Sequence, residues 1–218
     1  MSRTSTAAFR SGAVIAAIAV AGLALYVCVP RKPDLTRFDP AAMAARETAM
    51  WRDYYEKRYV GLFYNLYLSS RDEFGFSPLD SVRIALDAAD AARRFQPTTS
   101  RREADAALPA LIAYYGILAG AAPARFDVEK AARLELDWWQ ARREAVSAED
   151  YGRTIAATSA MVYGRDDDLI RQAGIERARA MAYRDARGSS ITEADWSEIE
   201  AQLRGAYEKL RRSVKRQR

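Results

Sequence analysis

Two absences restrict the chemistry that the side chains of this 218-residue chain can perform. The chain has no histidine, which is the commonest general base and the commonest transition-metal ligand in proteins. Cys28 is the only cysteine and lies in an apolar stretch near the N-terminus. A Ser-His-Asp triad, a Cys-His nucleophile pair, a zinc site and an internal disulfide are therefore excluded.

The acidic run of residues 166–168 is the densest cluster of potential metal ligands in the sequence. It lacks the alternating ligands and the central glycine of an EF-hand loop, and di-metal helical bundles use Glu-x-x-His motifs that a chain without histidine cannot form. Acidic side chains at a helix start cap the first turn and interact favourably with the helix dipole. We therefore assign these aspartates to capping and expect neither a metal site nor a cofactor.

Aromatic and arginine side chains are the residues best suited to bind a ligand. Trp138 and Arg142 are four positions apart, as are Trp139 and Arg143, so each pair would share a helix face and could stack. One such pair could present a planar cationic surface to a carboxylate or phosphate group. Because adjacent tryptophans point about 100° apart on a helix, at least one of them is expected to be core packing.

A second aromatic group lies on an i, i+4 row that begins at Trp51 and ends at Tyr67. Its rings could line a pocket for an isoprenoid or other lipid-like ligand, although we favour core packing for them. Arg58 lies among these rings, and we expect it to be buried and paired with Glu47 or Glu135. Together the two groups give the candidate ligand-binding residues Trp51, Tyr55, Arg58, Tyr59, Trp138, Trp139 and Arg142.

The aromatic row predicts a long central helix over residues 39–73, which begins at Asp39-Pro40 and ends before Gly75. Each step of four residues overshoots one helical turn by about 40°, so the row winds around the helix. One partner helix could not cover it. We therefore expect several other helices to pack around this one.

Helix-start signals recur along the rest of the chain, and no alternating pattern typical of a strand is present. The chain is 50% hydrophobic, which is enough to form a core. The fold is predicted to be all-α, with residues 39–218 forming one compact bundle of about seven helices. In the second helix we expect an apolar face made of Leu79, Val82, Leu86, Ala89 and Phe95.

Residues 11–29 contain no charge and lie between a basic tail, residues 1–10, and a proline-containing linker, residues 30–38. Their length suits a transmembrane helix, and small residues for signal cleavage are lacking near their end. We expect an uncleaved single-pass anchor. A short tail before a large domain is typical of a signal anchor, so we expect the domain to be periplasmic rather than cytoplasmic.

The order of the aromatic motifs resembles that of a bacterial helical family: W-x-x-Y-Y, then W-W-x-x-R-R, then a helix that ends in Y-G. No name, activity or site residue is carried over from this resemblance, and the bacterial inner membrane is expected because of the anchor. The net charge is +5 with acids and bases interleaved, and a basic cluster occurs only in residues 209–218. Such a cluster suits the C-terminal end of a helix dipole, so we do not expect nucleic acid as a partner.

These observations favour a membrane-anchored helical interaction or scaffold domain without catalytic activity, with a protein partner or self-association. The alternative is a binding protein for an apolar, isoprenoid or lipid-like ligand in an aromatic-lined pocket. A third hypothesis is a histidine-independent enzyme that uses carboxylate, tyrosine and arginine chemistry.

Overall fold

The structure, a computed structural model, describes residues 14, 17–24, 26–27 and 31–215. Within these residues 80% of the chain is helical, in nine helices, and no strand is present. The prediction of an all-α bundle is therefore confirmed. The number of helices differs from the expected seven because two of the predicted helices are each divided in two.

The nine helices follow one another with short connections. A π-helical turn, Ser69–Glu73, continues the second helix, and 3-10 turns at Asp105–Ala107 and Gly188–Ser190 precede the fifth and ninth. The helices are α1 (Pro40–Tyr55), α2 (Tyr59–Leu68), α3 (Pro78–Phe95), α4 (Arg101–Ala104), α5 (Leu108–Ala119), α6 (Val128–Arg143), α7 (Ala148–Tyr163), α8 (Asp168–Arg187) and α9 (Glu193–Lys215).

The predicted helix starts are confirmed by their capping hydrogen bonds. In each case a side-chain oxygen at the N-cap accepts a hydrogen bond from a backbone N–H in the first turn, which satisfies a donor that the helix itself cannot. Asp167 caps α8 through the N–H of Ile170 at 3.0 Å, as expected for the acidic run. The other capping residues are Asp39, Ser77, Ser100, Asp127, Ser147 and Thr192.

The predicted central helix over residues 39–73 is wrong. Lys57 has a positive φ of 58°, which ends α1, and the N–H of Arg58 donates to the carbonyl of Asp53 at 2.8 Å. The chain turns there and α2 begins at Tyr59. The aromatic row is therefore split between two helices and does not form one continuous ridge.

The predicted anchor, residues 11–29, lies partly outside the described residues. Residues 17–24 and 26–27 are helical. In the part of the chain that the structure describes, no helix is both long enough and apolar enough to cross a membrane.

Eight of the helices form a closed series in which each contacts the next, and the short α4 lies outside it. The contacts run from α1 to α2, α3, α5, α6, α7, α8 and α9, and α9 packs back against α1. Side chains from helices that are not neighbours in this series also contact one another. For example, Arg142 of α6 donates a hydrogen bond to the hydroxyl of Tyr55 of α1.

Glycine brings α7 and α8 unusually close. A Cβ atom added to Gly174 would lie 2.5 Å from the carbonyl oxygen of Gly152 and 2.6 Å from the backbone nitrogen of Ala156. Backbone atoms cannot move aside as a flexible side chain can. The close packing of α7 against α8 therefore requires a residue without a side chain at position 174.

Two Gly→Ala substitutions are expected to have opposite effects on stability. Gly174→Ala should lower the free energy of unfolding by about 1–3 kcal/mol, because the new methyl group overpacks the α7–α8 contact. Gly116→Ala in α5 should raise it by about 0.5–1 kcal/mol, because nothing lies within 4 Å of the new Cβ and alanine favours the helix. Urea unfolding followed by circular dichroism measures both. Equal effects of the two variants would contradict the close crossing.

Candidate functional site

Five of the seven candidate ligand-binding residues lie in or beside the interior between α1, α6 and α8. Trp51 is partly buried and packs against two apolar clusters, one around Trp196 and one around Trp138. Trp138 is 6% exposed. The other two, Arg58 and Tyr59, lie outside this interior, with Tyr59 54% exposed and the Arg58 side chain half exposed.

Tyr55, Arg142 and Asp185 form a polar contact at one end of this interior. The guanidinium of Arg142 donates to Asp185 at 2.8 and 2.9 Å and to the hydroxyl of Tyr55. Burial raises the pKa of Tyr55, as does the charge of Asp185, while Arg142 opposes the rise. The tyrosine is therefore neutral at physiological pH and holds the ion pair in place.

A second ion pair joins α1 to α8 and α9. Arg177 donates to a carboxylate oxygen of buried Glu47 at 2.6 and 2.8 Å, and the hydroxyl of Tyr207 donates to the other oxygen. Burial raises the pKa of Tyr207 well above its usual value, and Glu47 adds to the rise. Arg58 was expected to pair with Glu47 or Glu135, and it pairs instead with Asp53 and Glu56 near the surface.

Trp138 and Trp139 of α6 do not stack with Arg142 and Arg143 as predicted but contact other side chains. Arg177 lies over the ring of Trp138, and Arg143 lies over Phe95. The indole N–H of Trp139 donates to Glu135 at 3.0 Å. Glu135 also accepts a hydrogen bond from Tyr115 at 2.9 Å. These aromatic rings and charges are thus used in contacts between the helices.

Two surface depressions lie elsewhere. A groove of about 900 Å³ is lined by residues 32–34 and 36–37 and by the loop around Pro123, and a depression of about 490 Å³ lies between α8 and α9. Both are open to solvent and neither contains a candidate ligand-binding residue. The pocket for a lipid-like ligand therefore stays a prediction.

Helix α2 is the most unusual element of the surface. Eight of its ten residues are aromatic or large aliphatic, and none of its residues is buried. Val60 is 85% exposed and Tyr64 is 58% exposed. A helix that is apolar on all sides is normally covered on all sides, so this one has the composition of an interior helix at a surface position.

A polar contact holds α2 against α1. The buried carboxylate of Asp53 accepts hydrogen bonds from Arg58 at 2.8 Å and from Asn65 at 3.0 Å. Gly61 makes this approach possible, because a Cβ at that position would lie 2.5 Å from an Asp53 oxygen. The attachment thus uses the polar residues of α2 and leaves most of its apolar side chains at least partly accessible.

Helix α3, which packs beside α2, also exposes two large apolar side chains. The predicted apolar face is wrong in part, because Leu79 is 46% exposed and Leu86 is 54% exposed. The core is contacted instead by a face that includes Ile84 and Ala85. Leu79 and Leu86 are seven positions apart, so they share a face, and α2 packs beside α3.

We call these exposed residues the α2–α3 apolar surface. Aromatic side chains bury about 150–250 Å² each when fully covered, so the group offers on the order of 500 Å² of apolar area. Summed over the five residues, that area is comparable with the largest apolar patch of a typical monomeric protein, about 300–600 Å². The surface consists of Tyr59, Val60, Tyr64, Leu79 and Leu86.

Sequence reasoning missed this surface although the signal was present. The segment of residues 59–68 has no charged residue, whereas an ordinary surface helix has a polar face. Interpreting the segment as part of one central helix assigned its side chains to the core. The predicted apolar face of α3 likewise did not separate the exposed leucines, Leu79 and Leu86, from the buried face that includes Ile84 and Ala85.

Comparison of the chain with protein-family models, with curated proteins and with solved structures gives no match.

Proposed function

We propose that this chain is a membrane-anchored interaction domain without catalytic activity, which contacts its partner through the α2–α3 apolar surface. The observation that carries the proposal is α2, a mostly apolar helix in which no residue is buried. Exposed apolar area of this size is often functional in soluble proteins, because leaving it in water costs free energy that a partner recovers.

In this proposal residues 11–29 attach the protein to the bacterial inner membrane as an uncleaved single-pass helix, with the domain on the periplasmic side. Support comes from Ile18, Val20 and Leu23, each of which exposes more than 60% of its surface. Lipid-facing side chains would have this exposure when described without the bilayer. Alkaline carbonate should leave the full chain in the membrane pellet but release a chain that lacks residues 1–29. Release of both would contradict the anchor.

Photo-crosslinking in the native membrane tests the interaction surface. A photoreactive phenylalanine analogue placed at Val60 or Tyr64 of the full chain should give a discrete adduct on irradiation. The same analogue at Arg153 is the control, because that side chain is 61% exposed on α7, a helix that does not pack against α2 or α3. Labelling that is equal at the three positions, or absent at Val60 and Tyr64, would contradict the proposal.

A further inference from the structure

We propose that the groove between residues 32–37 and the end of α9 binds a phosphate group, carried either by an anionic phospholipid or by a soluble phosphate ester. This site is separate from the α2–α3 apolar surface, and its phosphate chemistry does not depend on the partner proposed there. The proposal is carried by the size and the fixed shape of the groove, by the cations of its wall and by the balance of charge around it.

Three distant parts of the chain meet at this groove. Its wall is formed by residues 32–34 and 36–37, by residues 120–123 after α5, and by Val214 in the last turn of α9. Its volume of about 900 Å³ falls within the range of ligand-binding pockets, about 300–1,000 Å³. The groove is therefore large enough for a phosphate and the group that it esterifies.

Hydrogen bonds hold the first wall of the groove in one conformation. The N–H of Arg37 donates to the carbonyl of Asp34 at 3.1 Å, and the N–H of Thr36 donates to the carboxylate of Asp34 at 2.8 Å. Leu35, inside this turn, is 2% exposed, and its N–H donates to the carbonyl of Ala121 at 3.1 Å. The site is therefore formed before a ligand arrives, which lowers the entropy lost on binding.

Lys32 and Arg37 are the cations of the wall, and both are exposed. Neither forms an ion pair with any residue that the structure describes. Lysine and arginine donate charge-assisted hydrogen bonds to phosphate oxygens, and an arginine can do so with two N–H groups at once. A phosphate in the groove would supply the anion that these two side chains lack.

The end of α9 adds positive charge beside the wall. Arg211 and Lys215 are one turn apart on the side of α9 that includes Val214. Arg211 also donates to the carbonyl of Thr36. With the two cations of the wall they make four positive charges against one carboxylate, that of Asp34.

The helix ends at the groove do not cancel this charge. The C-terminal ends of α5 and α9 each contribute the equivalent of about half a negative charge. The remaining excess is about two positive charges, which matches the roughly one to two negative charges of a phosphate ester. Complementing the helix dipoles therefore accounts for only part of the cationic cluster.

The position of the groove favours a phospholipid as the source of the phosphate. The apolar run proposed as the anchor ends at Val29, so Lys32 follows it by three residues and can lie at most about 10 Å away. Lipid headgroups occupy about 5–7 Å on each side of the hydrocarbon core, and each Lys or Arg near an anionic surface adds to the attraction. Only this step rests on the proposed anchor.

Native mass spectrometry of the full chain in mild detergent tests the site with a short-chain phosphatidylglycerol, a matched phosphatidylcholine and glycerol phosphate. Phosphatidylglycerol should bind at least about tenfold more tightly than phosphatidylcholine, whose choline cation offsets its phosphate. Combining Lys32→Gln with Arg37→Gln should weaken this binding at least about tenfold, because the wall then has no cation. Both side chains are exposed, so this variant should unfold at the same temperature as the parent chain.

The matched control combines Lys57→Gln with Arg102→Gln, which removes the same charge from two exposed positions outside the groove. It should bind phosphatidylglycerol as the parent chain does. Binding of glycerol phosphate that only the groove variant loses, with no preference between the lipids, would uphold the phosphate site and assign it to a soluble ester. Equal phosphatidylglycerol binding by the two variants, or no saturable binding of phosphatidylglycerol or glycerol phosphate, would overturn the proposal without bearing on the α2–α3 apolar surface.

Discussion

Glu47→Ala should lower the free energy of unfolding of the full chain by about 3–5 kcal/mol, the cost of breaking a buried ion pair. Glu47 is buried and accepts hydrogen bonds from Arg177 and Tyr207. Removing the carboxylate leaves the guanidinium of Arg177, whose side chain is 29% exposed, without its counter-charge. Urea unfolding in mild detergent, followed by circular dichroism, measures the loss.

Two further variants decide whether burial of the pair causes this effect. Glu208→Ala removes an exposed i, i+4 partner of Arg204 and should cost less than about 0.5 kcal/mol. Combining Glu47→Leu with Arg177→Met replaces both charges by apolar groups and should cost less than Glu47→Ala alone. If the double variant is the less stable of the two, the α1–α8 ion pair is not buried as described.

Trp138→Ala is the second substitution with a large expected effect, also about 3–5 kcal/mol. The side chain is 6% exposed and packs against Tyr151, Ile155 and Met181. Its removal leaves a cavity that the neighbouring helices cannot fully close. Thermal or urea unfolding by circular dichroism again gives the change in stability.

Trp138→Phe separates packing from hydrogen bonding. The indole N–H of Trp138 has no hydrogen-bond partner among the described residues, so phenylalanine loses volume but no bond. We expect a cost below about 2 kcal/mol. A Phe variant as unstable as the Ala variant would mean that the indole nitrogen contacts a polar group or ligand, which would favour the ligand-binding hypothesis.

The helices and most of their starts could be predicted because the signals are local. A capping residue such as Ser77 or Asp127 acts on the turn that follows it, so its effect does not depend on the rest of the fold. The same holds for Gly164 and Gly188, whose positive φ values allow α7 and α8 to end. Predictions based on neighbouring residues were therefore the most accurate.

Long-range pairing could not be predicted in the same way. Arg58 was expected to pair with Glu47 or Glu135 across the bundle, but Arg58 contacts Asp53 and Glu47 contacts Arg177 instead. The turn at Lys57 separates α1 from α2 and has neither a glycine nor a proline to mark it. Without that turn, the sequence pattern places α2 in the core and conceals the α2–α3 apolar surface.

Hydrogen exchange of α2 tests most directly whether its exposed surface is covered in the working protein. Backbone amides on a helix with no buried residue should exchange fast in the dilute, detergent-solubilised chain. In native membranes the amides of residues 59–68 should exchange at least about tenfold more slowly, whereas those around the core residues Ile199 and Leu203 of α9 should not change. Equal rates for α2 in the two states would show that nothing covers the surface and would contradict the proposed interaction domain.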